Sequence, residues 1–483
     1  PMLIVGSTGH VAWGFTNSFG DWTDLIDLEL DPKDADIYKT PAGPQHFQHY
    51  EEVIHVHGGA DVKLPMLWTI WGPVLDEDRN GKPQRATSWT AHFPEAANIK
   101  ILGLESAKSV DEAMEVAHAT GIPPQNFVVA DDAGHIGWTI IGQIPRRVGF
   151  DGQFPTSWAD GTRRWDGWLR SDEFPKVVDP PSGRVWSANA RVVDGDLLKK
   201  MGNGGFANGA RAHQIRDDLM ALERATPADL MKIQLDDKAT FLERWRTLLL
   251  KELATPEAQK DPRKAVLKRL VETTWTGHAS IDSVAYRVVR GFHSVLAQQT
   301  FANLTGEDFN NPRPRFSTNG QFEAALWKLV SDRPAHFVDS RYKNWDEQIL
   351  AAVDHLLDLF EHQSGYPPPA LNQLTWGNRN VVRIQHPLSG AVPLLANWTD
   401  LQPRPLPGDL DMPRVTAQAF GASERMVVSP GQEDKGLFHM PAGESGHPSS
   451  PHYRDGQKAW EDGLPTPFLP GPAVETLKLV PGK

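Results

Sequence analysis

The chain contains no cysteine. That removes disulfides, zinc–thiolate centres, iron–sulfur clusters and cysteine nucleophiles from consideration. It also lacks long apolar runs. Met2 to Val5, Leu248 to Leu250 and Val392 to Ala396 are the clearest, and a membrane span needs roughly 20 residues. No basic stretch precedes an apolar segment at the start, so the first residues do not read as a signal peptide. Positive charge is in deficit: 49 Lys and Arg face 61 Asp and Glu, a net charge of −12. A general nucleic-acid binder or a ligand of anionic membranes needs a basic face, so neither is expected as a partner. His-Glu-x-x-His, Gly-x-Ser-x-Gly, P-loop and Rossmann glycine patterns are all missing.

What is present is a chain of 483 residues with 41 Gly, 39 Pro and 17 Trp. So many breakers argue for strands, turns and ordered loops rather than an all-helical fold. The start reads as strand Met2 to Val5, turn Ser7-Thr8-Gly9-His10 and strand Val11 to Thr16. Such an abrupt opening suggests a cut or processed end. Asp132-Ala133-Gly134-His135-Ile136 echoes that turn, as expected of two hairpins in one sheet. Strands are expected at 51–57 and 65–71. Ser109-Val110-Asp111-Glu112 is a capping box opening a helix. The stretch 151–186, with Trp158, Trp165 and Trp168, reads as an ordered loop region.

From 209 to 365 the pattern turns helical. Thr226-Pro227-Ala228-Asp229 supplies a cap, a first-turn proline and a favourable charge. Phe241, Leu242, Trp245, Leu248 and Leu249 recur at helical spacing, as do Ile349, Val353, Leu356, Leu357 and Phe360. Both stripes read as core. The second is ended by Gly365 and Pro367 to Pro369. Strands return at Val381 to Ile384 and Arg425 to Val428.

Three segments have chemical potential. In Trp13-Gly14-Phe15-Thr16-Asn17-Ser18-Phe19-Gly20-Asp21-Trp22-Thr23-Asp24 a strand runs into a polar turn. Asp21, Asp24 and the Thr23 carbonyl are oxygen donors for half a calcium site, or the aspartates simply cap the turn. In Val185-Trp186-Ser187-Ala188-Asn189, the Asn189 amide is suited to be a neutral oxyanion donor or a structural cap. Gly209-Ala210-Arg211 sits at a helix start, where Arg211 either binds a carboxylate or forms a surface ion pair. His386, His447 and His452 match no strong zinc spacing. Asp131/Asp132 and Asp236/Asp237 are adjacent carboxylates, which do not face each other across a glycosidic bond.

Taken in order, these motifs resemble the β chain of the penicillin acylase (penicillin amidase) family of N-terminal nucleophile hydrolases. The marks are Ala12-Trp13-Gly14-Phe15-Thr16-Asn17 with Asp21 and Asp24, Pro124-Gln125-Asn126-Phe127 through Asp131 with Gly134-His135-Ile136-Gly137, Gly142-Gln143-Ile144-Pro145-Arg146, Ser187-Ala188-Asn189, Gly209-Ala210-Arg211, and Gly443-Glu444-Ser445-Gly446-His447-Pro448. The resemblance implies an α+β fold, a four-layer αββα sandwich formed by 1–215 and 371–483, with a mainly helical region at 216–370. It implies an amide hydrolase that cleaves an acyl group from an amine. The nucleophile would be an N-terminal Ser whose own α-amine is the base, released by autoproteolysis of a precursor.

Carried over, the Asn17 backbone N–H and the Asn189 side chain form the oxyanion hole and Arg211 helps place the nucleophile end. Phe15 and Phe19 line an acyl pocket, which favours apolar acyl groups. Asp21, Thr23, Asp24 and Asp196 hold one structural calcium per heterodimer. The implied partners are an α chain from the same precursor and a small acyl amide substrate; the implied compartment is the periplasm or the exterior. No residue at the start of this chain fills the Ser role, so the first strands are expected elsewhere. The competing readings are a catalytically silent binding or assembly relative, and a Trp-rich carbohydrate-active protein.

Overall fold

A computed structural model describes residues 3–305, 321–363 and 370–482. The chain forms two compact units, Pro1–Ala207 and Asn208–Lys483.

The first unit is organised by a five-stranded antiparallel sheet. Its order is Gly6–Ser7, Val11–Asn17, Gln125–Asp131, Ile136–Ile141 and Lys176–Val178. The two Gly-His turns are, as expected, hairpin turns of this one sheet, with Gly9 at φ 89° and Gly134 at φ 95°, a region in which a side chain is strained. The first strand differs from expectation: it is Gly6–Ser7, and Leu3 to Val5 form no strand, while Met2 lies outside the described residues. The bond from Thr8 N to the Val11 carbonyl, 2.9 Å, sets a tight turn, and pairing reaches back only to Gly6, opposite Trp13.

Side-chain alternation gives the sheet two apolar faces. Val11, Trp13, Phe127, Val129 and Ile141 point to helix α1 (Val110–Ala119) and bury Val110, Met114 and Ala117. Trp138 and Ile140 point the other way, against Phe174, Val193, Met201 and Phe206. Helix α1 begins where expected, with the Ser109 side chain accepting from Glu112 N. Asp131 reinforces that start: its carboxylate accepts from Val110 N at 3.0 Å, a negative charge at a helix N-terminus.

A second sheet pairs Thr23–Asp27 with Pro83–Trp89 and Val74–Glu77, and buries Ile26 and Ala86 with Trp158. The strands expected at 51–57 and 65–71 are Gln48–Ile54 and Val62–Trp68, which pair as a hairpin. The 151–186 stretch is not wholly loop, since it contributes strands Arg164–Trp168 and Lys176–Val178. A short helix, α2 (Gly195–Met201), closes the unit near its end.

The second unit is mainly helical up to residue 363. Among the described residues up to there, its α-helices are α3 (Ala210–Met220), α4 (Pro227–Gln234), α5 (Glu243–Leu253), α6 (Pro262–Thr274), α7 (Val284–Thr305), α8 (Phe322–Asp332) and α9 (Trp345–Gln363). Both stripes are core: Trp245, Leu248 and Leu249 share one buried cluster with Ile349, Val353, Leu356 and Phe360. Thr226 caps α4 in a capping box with Asp229. The stop signal at Gly365 and Pro367 to Pro369 lies outside the described residues. Beyond it, short antiparallel pairs such as Arg425–Val427 with Leu437–His439 complete the α+β content.

Candidate active site

The Val11–Asn17 strand carries the first candidate residues. Backbone groups of an antiparallel strand alternate between its two neighbours. The His10 carbonyl accepts from Asp132 N, on the Gln125–Asp131 side, and the Val11 carbonyl from Thr8 N, on the Gly6–Ser7 side. The register to Asn17 has no bulge. The backbone groups of Phe15 and Asn17 therefore face the Gly6–Ser7 side, where pairing stops at Trp13. Among the described residues no strand runs along that edge.

Two side-chain amides meet the Asn17 carbonyl at the end of this strand, one of them from the neighbouring Gln125–Asp131 strand. Asn189 Nδ2 donates to it at 2.9 Å and Asn126 Nδ2 at 3.0 Å. Asn126 is buried, and its carbonyl accepts from Trp138 Nε1 at 2.9 Å, so both ends of this amide are engaged. Asn189 sits in a turn closed by the bond from Ala190 N to the Ser187 carbonyl, with Ala188 at φ 49° and itself at φ 63°. Asn tolerates this left-handed region, whereas for Ala it costs about 1 kcal/mol, and such strain clusters at functional sites. Ser187 bonds Thr16 at 2.9 Å, and the Asn189 carbonyl accepts from Ala207 N at 3.0 Å, so the turn is tied down on both sides.

Phe15 is half-buried, its ring 5.8 Å from that of Phe127 and against the α1-side core. Phe19 is exposed and holds φ 49°. Ser18, between the strand end and Phe19, is anchored through its hydroxyl to the Pro124 carbonyl at 2.7 Å.

The aspartates after this turn are brought together, but around a side-chain cation. Arg147 Nε donates to Asp24 Oδ2 at 2.8 Å, and Arg147 Nη2 donates to the Asp21 carbonyl at 3.0 Å and lies 3.3 Å from Asp21 Oδ2. Trp165 Nε1 adds a second donor to Asp24 Oδ2. Burial pushes the Asp21 carboxyl up to about 6; Arg147 opposes this and Asp24 adds to it.

The residues do not fit calcium in this arrangement. Calcium takes 6–8 oxygens, yet Asp21 O, Asp21 Oδ2 and Asp24 Oδ2 all face N–H donors. The buried polar atom without a hydrogen-bond partner at this spot is Arg147 Nη1, a donor that a metal ion cannot satisfy. Asp196, in the first turn of α2, is exposed and paired with Lys199 at 2.8 Å. Thr23 lies in the strand opposite Trp89. Among the described residues no three His, Asp or Glu side chains form a metal-holding group. His386, His447 and His452 have local partners: Leu388 N, Ser449 N and Asp455.

Arg211 belongs to the second unit, on the first turn of α3. Asn208 caps that helix by accepting from Ala210 N at 2.9 Å, and donates to Asp411 Oδ1 at 3.0 Å. Asp411 also accepts from the buried Arg290 at 2.9 Å. Burial lowers the Arg211 guanidinium, and Asp411 opposes that shift.

Sequence reasoning missed Asn126, Arg147, Trp165 and Asp411. The one available signal was Asn126, a polar residue inside an otherwise apolar strand.

The penicillin amidase family model matches residues 1–473. The chain belongs to the penicillin amidase family. Among its relatives is the penicillin acylase 2 proenzyme of Pseudomonas sp. strain SE83, 26% identical over 501 residues, covering 98% of this chain and 61% of the relative. The acyl-homoserine lactone acylase QuiP of Pseudomonas aeruginosa is 24% identical over 97% of this chain and 61% of its own. The chain thus spans about three-fifths of the length of the curated relatives it matches. A thermostable penicillin G acylase from Alcaligenes faecalis superposes with a TM-score of 0.67 at 19% identity, covering 100% of this chain and 90% of that one. The fold is therefore the N-terminal nucleophile hydrolase fold expected from the motifs.

Proposed function

We propose that this chain is part of an acylase that hydrolyses the amide bond between an acyl group and an amine. The observation that supports this reading is the bond from Asn189 Nδ2 to the Asn17 carbonyl, which sets the Asn189 amide against the residue whose N–H is the other expected donor. Strand alternation turns the Asn17 N–H to the same side as its carbonyl. A substrate carbonyl oxygen seated there would take one donor from Asn17 and one from Asn189.

The nucleophile is an N-terminal Ser of the assembled enzyme, which is made from two parts of one precursor. Its hydroxyl oxygen attacks the amide carbon while its α-amine accepts the hydroxyl proton. The developing oxyanion is held by the two donors, each worth about 10²–10³ in kcat. The intermediate collapses as the amine leaves with the proton, and water then cleaves the acyl ester by the same route. Phe19, exposed beside the donors, and Phe15, half-buried, favour apolar acyl groups. The relatives are bacterial acylases, and no described helix is long and apolar enough to cross a membrane. Export to the periplasm or the exterior is part of the proposal.

The test is hydrolysis of chromogenic acyl amides by the enzyme that carries this chain. Rates should rise from acetyl to octanoyl or phenylacetyl. A preference for dicarboxylic acyl groups would refute the apolar pocket, and turnover of no acyl amide would refute the acylase reading.

A further inference from the structure

The geometry points to Arg147 as the resident cation of the Asp21–Asp24 turn, a guanidinium clamp that holds this turn without a divalent metal. Arg147 reaches three oxygens of the two aspartates, and its side chain is only 6% exposed while that of Asp24 is 2% exposed. A planar fork suits this task, since one arm serves Asp24 and the other Asp21.

The surroundings are shaped for the clamp. Gly152 holds φ +80°, and a Cβ there would lie 2.7 Å from Arg147 Nε and 2.9 Å from Asp21 Oδ2. Gly202 holds φ +67°, and its Cβ would lie 2.4 Å from Asp21 Cβ. Asp21 N donates to the Met201 carbonyl at 2.7 Å, so the turn is sealed against the end of α2. Two glycines thus let backbone close over the ion pair. Gly204 holds the segment just before the clamp, since its N bonds the Phe19 carbonyl at 2.9 Å and it packs on Gly20.

The test is calorimetric titration of the EDTA-treated protein with calcium chloride, together with thermal unfolding in EDTA and in millimolar calcium. The expected result is no saturable calcium binding and the same Tm in both buffers. Arg147→Met should lower Tm by several degrees, and Arg147→Lys, which keeps the charge but not the fork, should fall between it and the parent. Calcium binding at one ion per chain that Asp24→Asn abolishes would overturn the inference. So would an Arg147→Met protein with the parent's Tm. If Arg147→Met does not fold, the titration of the unmodified protein decides the matter alone.

Discussion

Asn189 and Asn17, 172 residues apart in sequence, are joined by a 2.9 Å hydrogen bond from a side-chain amide to a backbone carbonyl. That bond fixes the orientation of the peptide at the end of the Val11–Asn17 strand, where pairing with Gly6–Ser7 has already stopped. The account of the site depends on this orientation, and several measurable consequences come from the groups that maintain it.

Asn126 holds the same carbonyl from the neighbouring strand and accepts from the buried Trp138 indole. Asn126→Ala leaves the buried Trp138 indole N–H without its partner, at about 1–3 kcal/mol, while the exposed Asn17 carbonyl keeps the bond from Asn189. Denaturant unfolding should show a loss of that size, and a loss below about 0.5 kcal/mol would contradict the role given to this amide.

Gly204 lies under the Phe19–Gly20 turn. A Cβ at residue 204 would fall 2.3 Å from the Gly20 carbonyl oxygen, which is backbone and yields little. Gly204→Ala should displace the turn that carries Phe19 and raise KM for apolar acyl amides more than it lowers Tm. An unchanged KM would show that Phe19 does not contact the acyl group.

His118 supplies a pH dependence of stability. Burial pushes its imidazole down to about 4 from 6.5, with Glu115 opposing and Lys176 assisting. Its ring bonds Ser171 at 2.7 Å and Thr139 at 2.9 Å and stacks on Phe174. Between pH 4 and 6.5 the unfolded chain binds the proton that the folded chain refuses, so stability rises with pH across that window. The contribution is complete above about 6.5 and falls by about 3 kcal/mol as pH drops to 4. Unfolding free energy measured against pH should show this loss in the parent and a flatter profile in His118→Gln. An equal slope in both would assign the dependence to other groups.

Local signals in the sequence were legible because they act locally. Ser109 caps α1 and Thr226 caps α4 with the partners their spacing implies. The Ile349 to Phe360 stripe needs only helical periodicity to be read, and its members are buried together. The pairing of Asn17 with Asn189 was legible only through family motifs, since nothing in either segment names the other. Arg147 was not legible: it stands 123 residues from Asp24 and looks like one of two surface arginines following a strand. The oxygens of Asp21 and Asp24 suggested a metal from sequence, because a donor's partner is decided by the fold. The first strand was misplaced for a similar reason. Leu3 and Ile4 are apolar but exposed, and the turn at Thr8 to Val11 decides where pairing begins.

The most direct test of the central claim is kcat of Asn189→Ala on an apolar acyl amide, measured beside its Tm. If the Asn189 amide stabilises an oxyanion together with Asn17 N–H, kcat falls by about 10²–10³ and KM changes little, while Tm drops only by the cost of an Ala at φ 63° and of the lost bond to the Asn17 carbonyl. A kcat within about twofold of the parent would contradict the account, because no lost transition-state donor leaves the rate so nearly intact.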